Sequence, residues 1–233
     1  CRIPLSSTSS AQASPGPGPA TVRLALIKVG CELFGSTYVQ QMLFPILRAA
    51  PVRIRPPERV ALSQQVQRIY KGHSNKQTVQ LVDSLGYREV AHAQGLLTVY
   101  LQVPLETANI FRECLMTIGY WGQTDSLATC VAVEEASPTE EECALPLRTL
   151  PWRTSLRAFF SCVMTEFRHA NLPWEDIVPG QHSKEDPLWR EIYVWPMLLA
   201  ERRAANKLLV RQPFTEGHSL HQGKLQEGER GEQ

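Results

Sequence analysis

The chain has almost no net charge. Its 24 lysines and arginines stand against 23 aspartates and glutamates, a formal +1, so no bulk field of one sign draws it to nucleic acid or to a membrane surface. It lacks any apolar run near the ~18 residues that cross a bilayer, and its first residues lack the apolar stretch of a secretory leader. Both absences point to a cytoplasmic protein with no membrane association. No two of Cys1, Cys31, Cys114, Cys130, Cys143 and Cys162 stand two or three residues apart, which excludes a C-x-x-C clip or zinc-finger spacing. Cys31, Cys114, Cys130 and Cys162 lie in apolar surroundings, where a free thiol behaves as a small hydrophobe; reduced cysteines are expected. Walker and dinucleotide-binding loops are missing, and His73, His92, His169, His182, His218 and His221 are scattered. No cofactor or metal is expected.

What is there suits one α+β domain with a tail at each end. An apolar content of 43% over 233 residues is enough for a real core. Residues 1–20, rich in Ser, Pro, Gly and Ala, and residues 213–233, polar and rich in Gly and Gln, are expected to be disordered. Between them, Val22 to Val29 reads as a half-buried strand, and Tyr38 to Ala50 as a helix that Pro45 must kink or shorten. Gly95 to Val103 is the clearest strand signal. Pro104 and Glu106 then open a helix whose stripe is Ile110, Phe111, Cys114, Leu115 and Ile118. Leu127 to Val133 reads as a strand, Thr154 to Ala170 as an amphipathic helix, and Glu191–Trp195 with Lys207–Val210 as late strands around a short helical or turn segment. The glutamates of the segment from Glu134 to Glu142 read as a solvated loop.

Charge is unevenly spread. From Arg48 to Lys76, seven cations (Arg48, Arg53, Arg55, Arg59, Arg68, Lys71, Lys76) face the single acid Glu58, a local +6. Gly72 and Asn75 add a turn signal, so a protruding basic hairpin is expected. Guanidinium donors match phosphate pairs, and each phosphate neutralised releases counterions; a solvated charged face is the competing reading. The loop Gly119–Ser126 offers two glycines for close backbone approach, with a helix C-cap and turn as the plainer alternative. Tyr70, Lys71 and His73 together hold the groups that metal-independent RNA cleavage by a 2′-hydroxyl would need.

Ile118-Gly119-Tyr120-Trp121-Gly122-Gln123-Thr124-Asp125-Ser126-Leu127, followed by Val133-Glu134-Glu135, resembles the helix-to-strand loop of the subunit that caps the CRISPR RNA 5′ handle in type I Cascade complexes, a branch of the RAMP superfamily. Arg190 to Pro196 is similar to that family's near-terminal strand. The resemblance implies a ferredoxin-like, RNA-recognition-like core over residues 21–135, a protruding basic hairpin and a smaller C-terminal extension over 136–212. It further implies a non-catalytic subunit of an antiviral ribonucleoprotein, with CRISPR RNA and other Cascade-type subunits as partners. RNA contacts are then expected from Arg53, Arg55, Arg59, Arg68, Tyr70, Lys71 and His73 in the thumb-like hairpin, assisted by Gly119, Gly122 and Ser126. A processing endoribonuclease and a protein scaffold that binds no RNA are the two rival functions.

Overall fold

In the computed structural model, residues 10–11, 13–75, 78–122, 126–150, 159–177 and 186–214 are described. They form a mixed α/β structure whose strands are mostly antiparallel. Most of the chain's strands join one sheet in the order β1 (Ser10–Ala11), β4 (Thr78–Gln94), β3 (Arg59–Asn75), β9 (Asn206–Arg211), β8 (Leu188–Arg203), β6 (Leu145–Pro146), with β7 (Phe159–Phe167) also on β8. A separate two-stranded sheet pairs β2 (Val52–Arg55) with β5 (Thr98–Leu101).

The expected strand at Val22–Val29 is a helix, α1 (Pro19–Phe34). Pro19 opens it at a position where the missing N–H costs nothing, and Gly35, at φ 85°, closes it. Its buried residues Val22, Arg23, Leu26, Ile27, Val29 and Gly30 recur at helical spacing. The apolar run conceals that period because α1 is covered on more than one side. A Cβ on Gly30 would stand 3.1 Å from Val39 and 3.3 Å from Leu43, so the glycine allows the next helical segment to cross closely. That segment is α2 (Ser36–Tyr38), a π-turn (Val39–Leu43) and α3 (Phe44–Leu47). It forms where a helix was expected, and the wide turn directly precedes Phe44 and Pro45.

A 3₁₀ turn (Leu105–Thr107) and α4 (Ala108–Thr117) follow β5 as the sequence indicates, burying Phe111 and Cys114. The strand expected at Leu127–Val133 does not form. Leu127 makes one bridge to Tyr120 and is 83% exposed, and Val131 is 76% exposed, so that run does not reach the core. The helix expected at Thr154–Ala170 is replaced, within its described residues, by β7, which pairs with β8 from Phe159 to Phe167. Its apolar side chains touch covered surface on both faces, which mimics a helical stripe. The two late strands form, as β8 and β9, but β8 runs on past Trp195 to Arg203, so the short helical or turn segment expected between them is strand, closed by a tight turn in which Ala204 has φ 54°.

The core does not divide at Glu135. Val60 and Leu62 of the hairpin, Trp195 and Met197 of β8, Leu209 of β9 and Val22 and Leu26 of α1 share one buried cluster. Nor does the ordered chain begin at Thr21: β1 pairs in parallel with β4, and Ala13 to Ala20 are buried. A smaller cluster of Leu145, Leu150, Val194 and Phe214, with Phe159 against it, covers part of the sheet's other face. The tail expected from Pro213 lies, beyond Phe214, outside the described residues.

One ion pair is sunk in this core. Arg23 hydrogen-bonds Glu166 and donates to Ala50 O at 2.8 Å, with its guanidinium 5.4 Å from the centre of the Phe167 ring. Burial pushes the Glu166 carboxyl up from its ordinary value, against the pull of Arg23 and of the Phe167 N–H. Among the described residues no helix is long and apolar enough to cross a membrane.

Candidate nucleic-acid interface

The expected basic hairpin is present and is longer than the sequence suggests. β3 and β4 each run 17 residues and pair without a bulge from Arg59↔Gln94 to Asn75↔Thr78. Among the described residues the body pairs with the base: β9 with β3 from Arg59 to Leu62, and β1 with β4 at Tyr87 and Arg88. Glu89 marks where the hairpin leaves, binding Lys207 at 3.3 Å and accepting from the Ala13 N–H at 3.1 Å. Beyond Gln65 the two strands extend as a ribbon for about 35 Å at ~3.3 Å per residue.

Successive positions on a strand belong to opposite faces, and the register sorts the charges. By register position Arg59, Lys71 and His73 share one face with Arg88 and His92 of β4, with Ser63, Gln65, Gln67, Gln80 and Gln94, and with the apolar Ala61, Ile69, Val82 and Val90. Neither acid of the hairpin shares that face. Asp83, opposite Tyr70, and Glu89, opposite Gln64, sit on the other face, where Arg68 and Tyr70 also fall. On the face without acids, Ser63 Oγ and His92 Nε2 lie 3.2 Å apart. Arg88 and His92 were not among the contacts expected from the sequence. Their signal was the period-two alternation through Thr78 to Gln94, legible only once that stretch is recognised as the return strand. Lys76 lies outside the described residues.

The same register separates the candidate cleavage trio. Lys71 and His73 hold register positions of one phase and Tyr70 a position of the other.

Arg53 and Arg55 are not in the hairpin. They lie on β2, opposite Tyr100 and Thr98 of β5, while Val52 and Ile54 turn into the core. The acidic segment reaches them. Glu140 lies 3.8 Å from Arg53, and Glu142 approaches Arg55 at 3.1 and 3.3 Å. The segment expected to be merely solvated therefore compensates part of the charge expected to meet RNA.

The loop from Gly119 packs along α1. Ala128 N–H donates to Gly119 O and Trp121 N–H to Ser126 O, both at 3.0 Å. Gly122 has φ 77°, and a Cβ there would stand 3.0 Å from Thr21. Tyr120 hydrogen-bonds Lys28, whose Nζ lies 4.5 Å from the ring centre; that bond is the main cause raising the lysine's pKa above its ordinary value. The glycine is thus required by the turn and by contact with α1. Residues 123–125 lie outside the described residues. The expected contacts consequently fall on three surfaces: the hairpin, the β2–β5 sheet and the α1 loop.

Three thiols are packing groups. Burial pushes Cys114 and Cys143 up to about 11 and Cys162 up to about 12; Cys162 accepts from the Trp195 indole at 3.2 Å. No protein-family model matches the chain, and no curated protein matches it.

Proposed function

We propose that the chain is a non-catalytic RNA-binding subunit that grips single-stranded RNA along the acid-free face of its long hairpin. The observation that carries this reading is the sorting of charge by register: Arg59, Lys71, His73, Arg88 and His92 share a face from which Asp83 and Glu89 are absent. A solubilising surface needs no such separation, whereas a polyanion lying along a ribbon is favoured by it, since each neutralised phosphate releases counterions. Arg68 and Tyr70 belong to the opposite face and are secondary in this reading.

The assembly we infer is a Cascade-type antiviral ribonucleoprotein, with the 5′ handle of CRISPR RNA as the bound segment. The support is the resemblance at Ile118 to Leu127 and at Arg190 to Pro196, joined to a protruding hairpin of the thumb kind. A ferredoxin-like relationship belongs to the same proposal and rests on the succession β2, hairpin, β5, α4. Helix α1, where that fold has its first strand, and the irregular stretch after Leu127 are departures from it.

The test is binding of a labelled repeat-derived RNA between about 50 and 200 mM salt, a range over which phosphate-dominated affinity falls steeply. Binding that weakens steeply with salt, with the RNA intact in chelator, is the expected result. Failure to bind at low salt leaves the scaffold reading, and cleavage in chelator that His73→Ala abolishes leaves the processing reading.

A further inference from the structure

The β2–β5 sheet carries a second arrangement that the hairpin does not explain. Val52 and Ile54, at 6% and 2% exposure, anchor β2 in the core, so Arg53 and Arg55 share its outward face with Tyr100 and Thr98 across the register. Two guanidinium groups two residues apart beside an aromatic ring are suited to a phosphodiester strand with a base against the ring. In this chain the guanidinium groups already meet carboxylates. Glu140 and Glu142 sit on a 3₁₀ turn (Glu140–Glu142) fixed by its backbone, through Ala144 N–H to Ile54 O and Phe214 N–H to Glu141 O, both 2.8 Å. The two contacts differ in kind. Glu142 and Arg55 are both about 30% exposed and in close contact; Glu140 is 71% exposed and 3.8 Å from Arg53. An exposed, long pair of the second sort is weak, so it opens first.

We infer that the outward face of β2 is a second RNA-phosphate contact surface, masked by the chain's own Glu140 and Glu142 acting as stand-ins for phosphate. This rests on the RNA-binding reading and adds its regulation. A polyanion that displaces the two carboxylates gains Arg53 and Arg55, while the exposed Glu141 on the same turn opposes its approach. RNA held by the hairpin alone is therefore the ground state, and full engagement requires the acidic turn to yield. The competing account is a simple clamp, in which the pairs only fasten residues 140–144 to β2.

Four forms of the full chain separate the two accounts: wild type, E140Q/E142Q, R53A/R55A and the combination of all four changes, each titrated with a labelled uridine-rich single-stranded RNA across a range of salt. Masking predicts that E140Q/E142Q binds about tenfold more tightly at low salt, with a steeper salt slope by roughly 0.7 for each arginine released. R53A/R55A should change wild-type binding little, yet remove the whole gain in the combined variant. Unchanged affinity in a folded E140Q/E142Q overturns the proposal, as does a gain that survives in the combined variant, which would be a general charge effect. Should E140Q/E142Q fail to fold, E140Q alone, which touches only the open pair, must still raise affinity severalfold. If wild type binds and hairpin substitutions abolish that binding while the glutamine variants change nothing, masking alone fails. If no folded form binds RNA, the RNA reading fails with it.

Discussion

The base and the outer part of the β3–β4 hairpin are one continuous ladder, yet they answer to different physics. At the base, Val60 and Leu62 are fully buried between β9, β4 and the helices. Four residues further along the same face, Val66 is 59% exposed, and Leu85 on the facing strand is 60% exposed. The pairing is unbroken through both parts, and what differs between Leu62 and Val66 is whether a third layer covers the strand. Isolated two-stranded ribbons are marginal in water, so the outer part depends on its anchored base and is free to carry charge that a packed strand could not tolerate.

The comparison is broken most severely at the buried charge of the body. Arg23→Ala leaves Glu166 without its counter-charge and should cost about 3–5 kcal/mol, measured by denaturant unfolding. The pH dependence follows from the raised carboxyl. Its folded pKa lies above its unfolded value, so the folded state holds the proton more tightly, and the group's contribution to stability falls as pH rises through that interval. The variant should therefore be relatively more stable near pH 5 than at pH 7. Equal loss at both pH values would mean that Glu166 stays solvated.

Next in size is the test along one strand. Leu62→Ala removes fully buried apolar volume and should cost about 2–5 kcal/mol. Val66→Ala, on the same face of β3, should stay within about 0.5 kcal/mol. Similar losses at the two positions would show that the ribbon is covered where the fold leaves it open. A smaller expectation concerns the thiols: Cys114, Cys143 and Cys162, held up at about 11 to 12 by burial, should resist iodoacetamide at pH 8 until the protein is unfolded. Prompt labelling of Cys162 in the native state would contradict its place beneath Trp195.

The legibility of the sequence follows the same division. β5 and α4 were readable because Thr98 to Leu101 is β-branched and aromatic, and because Pro104 starts the next helix with a one-sided stripe. The late strands were legible in their centres, where Val194 and Trp195 form a compact apolar run, but not in their extent, since β8 continues through Pro196 to Arg203. Val22–Val29 and Phe159–Phe167 were misread in opposite directions: both elements are covered on more than one side, and coverage erases the period that distinguishes helix from strand. The basic stretch was visible as composition, but its division between β2 and β3, and the face that Arg59 shares with Arg88, depend on a register set by pairing partners far along the chain. Compensation of Arg53 and Arg55 by Glu140 and Glu142 was likewise beyond local reading, since some 87 residues separate each pair.

The central claim is that one face of the ribbon, and not its mere positive charge, holds RNA. It is tested most directly by comparing the salt slopes of RNA binding for Arg59→Ala/Lys71→Ala/Arg88→Ala and for Arg68→Ala. The account predicts that the first variant loses roughly 0.7 from the slope for each phosphate contact removed, with its melting temperature little changed, while Arg68→Ala binds as wild type does. Loss in Arg68→Ala equal to that of each substitution on the other face, or a triple variant that binds unchanged, would contradict it.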